Sequence, residues 1–185
     1  MFKNNYHYPE GFEDLAWFFR TYKHLFKPTI NGEADTNKHL NNYRILKDKF
    51  KIEFPYGKCF PISQFIFYYL GGYDSEYELR CIRKIPITIE DYSFTTSHWF
   101  VIKKGTNHII DLSKEQFDKI LNVEDLYSKS RRANYGYPYF HNRKHIKYDN
   151  TVPCKQVLTL YKKYREVVEV SPLLEFFHER HGYEL

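Results

Sequence analysis

The stretch SHWFVIKKGTNHIIDL, residues 97–112, constrains the fold more than any other part of the chain. Two runs of β-type residues flank KGTN, the pattern of an antiparallel hairpin. Successive strand side chains point to opposite faces, so the register decides what each face carries. An even-numbered loop pairs Phe100 with Asp111 and Val101 with Ile110. One face then holds Trp99, Val101, Ile110 and Leu112, all apolar and suited to a core. The other holds His98, Phe100, Ile102, Ile109 and Asp111. An odd loop sends Asp111 to the wrong face, and the apolar matching selects the even one. His98 and Asp111 then become diagonal neighbours with Cα atoms roughly 7 Å apart, within reach of a side-chain hydrogen bond.

A histidine held by a carboxylate gains meaning from YGKCFPISQFIFYYLGG, residues 56–72. The run from Cys59 to Leu70 fits a buried strand or a helix. Its length, Pro61 at a first-turn position and the Gly71–Gly72 stop select the helix. Cys59 then stands on the first turn. A thiol is a poor nucleophile until it loses its proton, and two devices promote that loss: the positive end of a helix and a neighbouring imidazole. The residues therefore suggest a catalytic set of Cys59 as nucleophile, His98 as base and Asp111 as the carboxylate orienting the ring. Lys58 and Trp99, adjacent to nucleophile and base, are expected in oxyanion or substrate contact.

Elsewhere, apolar residues from Phe12 to Phe26 recur at helical spacing over 10–27, with Pro28 ending the run. A second helix is expected over 35–50, from Leu40, Tyr43, Leu46 and Phe50. EYELRCIRKIPITIED alternates as a strand, with Leu79, Cys81 and Ile85 on one side and Pro86 marking an end or bulge. Ser113 and Gln116 read as a capping box that opens a helix. Further helices are expected over 151–169 and near SPLLEFFHER. The sum is an α+β domain: a central helix packed on a small antiparallel sheet with flanking helices. It is expected to be one domain over 1–185, with a helical part at 1–55, the Cys-helix and His/Asp hairpin core at 56–126, and a basic aromatic segment and C-terminal helices at 127–185.

Composition narrows the classes. A chain of 185 residues with 42% hydrophobic and 19% aromatic residues can bury a sizeable core without staples. Three well-separated cysteines (Cys59, Cys81, Cys154) argue against a disulfide scaffold. The N-terminus lacks the features of a signal peptide, and no run is long and apolar enough to cross a membrane. A soluble, cytoplasmic protein is expected, in the host cytoplasm if the source is viral. Of nine histidines, only His141/His145 and His178/His181 lie close in sequence. HERH is one residue short of the H-E-x-x-H zinc spacing, so no metal and no cofactor are expected.

The formal charge of +5 favours anionic partners. YSKSRRANYGYPYFHNRKHIKY, residues 127–148, interleaves basic groups with rings and contains no acidic residue. These are the ingredients of single-strand nucleic-acid binding, although no RNP or KH signature accompanies them. Arg131, Arg132, Arg143, Lys144 and Lys147 are the candidate contacts to a nucleic acid or other anion.

The order GKC at a helix start, SHWFVI opening a strand and IIDLSKEQF after the hairpin resembles papain-like and transglutaminase-like cysteine folds. It is more similar still to the YunG-like family of small bacterial and phage proteins, with G-Q-C, H-Y-W and D-L-T-x-x-Q-F segments. The matching positions are Gly57-Lys58-Cys59, His98-Trp99-Phe100 and Asp111 to Phe117, within a likeness covering roughly 55–168. The resemblance implies a papain-like fold and a Cys-His-Asp site. One position departs: the glutamine before the cysteine is Lys58 here, leaving backbone N–H groups at Cys59 and the Lys58 ammonium as oxyanion donors.

The expected function is hydrolysis or acyl transfer by a cysteine nucleophile on a protein or peptide substrate, as peptidase, amidase, deamidase or transglutaminase-like transferase. The alternative is a catalytically inactive papain-like fold that binds nucleic acid or protein through 127–148.

Overall fold

A long hairpin forms the centre of the computed structural model, which describes residues 11–26, 45–48, 51, 54–55, 57–118, 120–132 and 155–167. Strands β1 (Tyr77–Ile89) and β2 (Tyr92–Lys103) run antiparallel. Ile89 pairs with Tyr92, so Glu90 and Asp91 make the turn, and Glu90 adopts a left-handed backbone with φ 51°. Strand β3 (Ile109–Ile110) adds to the far edge of β2, and β4 (Arg131–Arg132) to that of β1. The chain is thus mixed α+β, with a four-stranded antiparallel sheet in the order β3-β2-β1-β4.

The β2–β3 register is the even one, with Val101 opposite Ile110 and Ile102 opposite Ile109. Trp99, Val101, Ile110 and Leu112 enter the main core as the alternation required. The opposite face is also covered. Phe100 packs there with Ile82, Ile85, Ile87, Phe117 and Val123, and Ile102 and Ile109 lean on the cluster. Its lid is irregular, made from the segment between β3 and β4 with its 3-10 turns Lys114–Phe117 and Val123–Lys129.

Strand β1 departs from its expected phase. Pairing shifts between Ile82 and Ile85, where Arg83 and Lys84 occupy the place opposite Ser97 and Lys84 has φ 56°. An inserted residue re-phases everything beyond it. Ile85 therefore shares the face of Ile82, not that of Leu79 and Cys81 as the simple alternation implied. Nor does Pro86 end the strand, since it pairs with Thr95. Among the described residues β4 pairs with Arg80 and Cys81 alone, so at Pro86 the strand has one described neighbour, where a missing N–H is tolerated.

Helix α1 spans Glu13–Thr21, shorter than its apolar stripe, and a 3-10 turn at Lys23–Leu25 continues it. Helix α2 spans Cys59–Tyr69 and is buried through Tyr68, the profile of a central helix rather than a surface one. Helix α3 spans Lys155–Val167 and buries Val157, Leu160, Tyr161 and Tyr164, one helical stripe. The three meet around Phe65, whose ring stacks on Tyr161 at 4.1 Å and takes the edge of Phe19 at 5.2 Å. Residues 45–48 are helical and bury Leu46. The rest of the expected 35–50 helix, Pro28 and SPLLEFFHER lie outside the described residues.

Two hydroxyl or thiol groups set how α2 lies on the sheet. β3 pairs with β2 at Val101 and Ile102, so among the described residues it does not reach the carbonyls of Trp99 and Ser97 further back on that edge. Ser63 Oγ donates to Trp99 O at 2.7 Å, and Cys59 Sγ donates to Ser97 O at 3.7 Å. Four helical residues advance about 6 Å and two strand residues about 6.7 Å, so α2 and β2 keep step in the same direction.

Candidate active site

The first turn of α2 brings Cys59 to the edge of β2. Gly57, with φ 71°, bends the chain into the helix, and Lys58 N donates to Pro55 O at 2.9 Å. Pro61 needs no N–H partner in this turn, where helix N–H groups have none within the helix. Cys59 is 6% exposed, and both Cys59 and Cys81 carry free thiols.

His98 leaves β2 on the face opposite Trp99 and is fully buried; its Nε2 lies 2.5 Å from Asp111 Oδ2. Cys59 lies near enough to the ring for its sulfur to raise the ring's proton affinity. The structure thus brings Cys59, His98 and Asp111 together. The edge of β2 left open by the short β3 is where the helix side and the histidine side of the sheet meet.

Asp111 is itself fixed. Ser113 donates to Oδ1 from both its backbone N and its Oγ, each at 3.0 Å, and Tyr127 donates its hydroxyl to Oδ2 at 2.8 Å. Burial disfavours the carboxylate, but the imidazole opposite and these donors hold its pKa below the usual value. For His98, burial again opposes charge, yet the Asp111 carboxylate outweighs it and the Cys59 sulfur adds to the effect. The ring is pushed up to about 9.

The capping box is not formed. The segment after Leu112 makes one 3-10 turn, Lys114–Phe117, with no side-chain cap. Ser113 instead serves Asp111, and Gln116 reaches across the site. Its Oε1 accepts from Gly57 N at 3.2 Å, while its Nε2 lies 3.0 Å from His98 Nδ1. Gln116, Ser113 and Tyr127 were not singled out as site residues from sequence. The available signal was polar side chains at Ser113 and Gln116 between the buried Leu112 and Phe117, which the cap reading absorbed. Phe117 closes the imidazole from one side, with ring centroids 4.9 Å apart and edge to face.

Lys58 is half-buried beside Cys59, and the lost hydration pulls its ammonium down to about 8 despite the opposing influence of the sulfur. Trp99 is not gathered with His98. Its ring lies in the main core against Phe60, with centroids 4.9 Å apart. Arg131 and Arg132 are exposed on β4, and Arg132 Nε lies 3.4 Å from Glu78 Oε2. Arg143, Lys144, Lys147 and the pairs His141/His145 and His178/His181 lie outside the described residues. Among the described residues no group of three or more His, Cys, Asp or Glu is placed to hold a metal, and no helix is long and apolar enough to cross a membrane. Compared with family models, with characterised proteins and with solved structures, the chain matches none.

Proposed function

We propose that the chain is a papain-like, transglutaminase-like cysteine hydrolase or acyl transferase acting on a protein or peptide substrate. The observation that supports this reading is the convergence on one strand edge of a helix-first cysteine and a buried imidazole held by a carboxylate. With Asp111 on Nε2, the ring nitrogen left for proton transfer is Nδ1. His98 takes the Cys59 proton there, and the sulfur attacks an amide or ester carbonyl. The tetrahedral intermediate collapses as His98 returns the proton to the departing amine or alcohol, leaving a thioester. Water or a second amine then resolves the thioester with His98 again as base. Asp111 keeps the ring oriented and offsets its charge. The oxyanion is assigned to the backbone N–H of Cys59 and to the Lys58 ammonium, which its position beside the sulfur suits.

The test is the pH dependence of iodoacetamide alkylation at each cysteine, read by mass spectrometry in the wild type and in His98→Ala. Selective reaction of Cys59 below pH 7 that is lost in the variant is the expected result. An inert Cys59, or one with the same profile in both proteins, rejects the thiol–imidazole pair.

A further inference from the structure

Gln116 bridges the turn before Cys59 and the His98 ring. A backbone N–H can only donate, so the atom on Gly57 N must be Oε1 and the atom on His98 must be the NH2 group. Nδ1 therefore accepts a hydrogen bond from Gln116 while Nε2 faces Asp111. Cys59 Sγ donates to Ser97 O, so the thiol hydrogen also has a partner away from the ring. Both contacts describe the uncharged pair, a thiol retaining its proton and an imidazole without a second one, which is the form the ring takes above its raised pKa of about 9.

We propose, on the thiol–imidazole reading above, that Gln116 is a positioning residue controlling the proton on His98 Nδ1. Its NH2 group, anchored through Oε1 on the turn before Cys59, occupies the lone pair into which the thiol proton would move. Protonation converts Nδ1 from acceptor to donor and sets two donors face to face. The Gln116 amide must then give way, and ionisation of the pair is coupled to movement of the Gly57 turn that carries the nucleophile. Gln116 lies one residue from Glu115, whose carboxylate binds Arg20 on α1 at 2.6 Å, so the turn bearing the amide is braced independently of the site.

Among the described residues, the titratable groups around the ring are few. Asp111 faces Nε2, Cys59 approaches from α2 with Lys58 behind it, and Tyr127 acts through Asp111. β1 sets Ile82 opposite His98 and places Cys81, with Arg83 beside it, near the Cys59 sulfur, and the turn of Gln116 adds the Phe117 ring. A change at position 116 acts on Nδ1 directly, whereas Cys81 and Lys58 act through Cys59, which the Cys59→Ala background removes.

The experiment titrates the His98 ring by NMR with labelled histidine in the wild type, Gln116→Glu and Gln116→Met, each with Cys59 and with Cys59→Ala. A hydrogen bond to the neutral form disfavours the charged one. Gln116→Glu replaces that donor with an acceptor, and its midpoint is expected to rise by at least about one unit. Gln116→Met keeps the chain length and removes the donor, for a rise of roughly half a unit to one unit. Unchanged midpoints in both variants overturn the proposal and leave Gln116 as a brace for the Gly57 turn. The Cys59→Ala background separates the two readings. If the shifts persist there while wild-type Cys59 proves unreactive, the role of Gln116 stands and the nucleophile reading falls.

Discussion

Tyr127 donates its phenolic hydrogen to Asp111 Oδ2 at 2.8 Å, the same oxygen that faces His98 Nε2. A residue from the segment leading into β4 thus shares one acceptor with the strand histidine. Tyr127→Phe keeps the ring against Phe100, at a centroid distance of 4.7 Å, and deletes only the donor. Hydrogen bonds to charged groups contribute about 1.5–3 kcal/mol, so a loss of that order is expected in urea unfolding. A loss near zero would mean that the oxygen does not need its second donor.

Stability should carry the signature of the buried pair. His98 is raised from 6.5 to about 9, so its contribution is fully present below pH 6.5 and is lost as pH rises through 9. Asp111 is lowered from 3.8, so its contribution is present above that value and lost as pH falls through the depressed pKa. The pair therefore supports the fold best between pH 3.8 and 6.5. The alkaline decline amounts to on the order of 3 kcal/mol. Urea midpoints taken from pH 4 to 9 should fall above 6.5 in the wild type, and His98→Gln should flatten that limb.

Lys58 works in the opposite sense. Its pKa falls from 10.5 to about 8, so its burial costs stability below pH 8 and the cost fades as pH approaches 10.5. Lys58→Met should raise stability at pH 7 by on the order of 1–2 kcal/mol, with the gain shrinking above pH 8. The same substitution should slow turnover of any acyl substrate if the ammonium helps to hold the oxyanion. A variant that is more stable and equally fast would remove Lys58 from that role.

Ser63 offers a test of placement apart from chemistry. Ser63→Ala removes the buried bond to Trp99 O, on a strand edge that β3 does not reach, and should cost about 1–3 kcal/mol. Because this bond sets the phase of α2 on β2, Cys59 alkylation should slow more in this variant than its stability loss alone explains. Equal effects on the reactivities of Cys59 and Cys81 would show only general loosening.

The hairpin was legible in the sequence because one constraint, apolar alternation across a short loop, fixes its register. Val101 opposite Ile110 follows from it. Cys59 at a helix start was legible from Pro61 and the glycine stop. The β1–β2 turn was not, because Glu90–Asp91 lacks the glycine or asparagine that advertises a positive φ. The bulge at Arg83–Lys84 was assigned to Pro86, since proline is the visible irregularity while two basic residues look ordinary. Ser113 and Gln116 carry the residue types of a local cap, and tertiary partners claimed them instead: Asp111 for one, Gly57 and His98 for the other. Tyr127 was absorbed into a basic aromatic stretch because nothing local distinguishes a tyrosine that points inward.

The brevity of β3 has a consequence of its own. In the observed register, a longer strand would set Leu112 opposite Trp99 and Lys114 opposite Ser97. Main-chain amides would then claim the two carbonyls that Ser63 and Cys59 now use, and the turn bearing Gln116 would be straightened away from the imidazole. Completing the sheet would seal its edge and separate thiol from ring. The candidate chemistry of this fold lives in a gap in the hydrogen-bond ladder, so substitutions that favour continued β-structure at 111–114 should strengthen the sheet while dismantling the site.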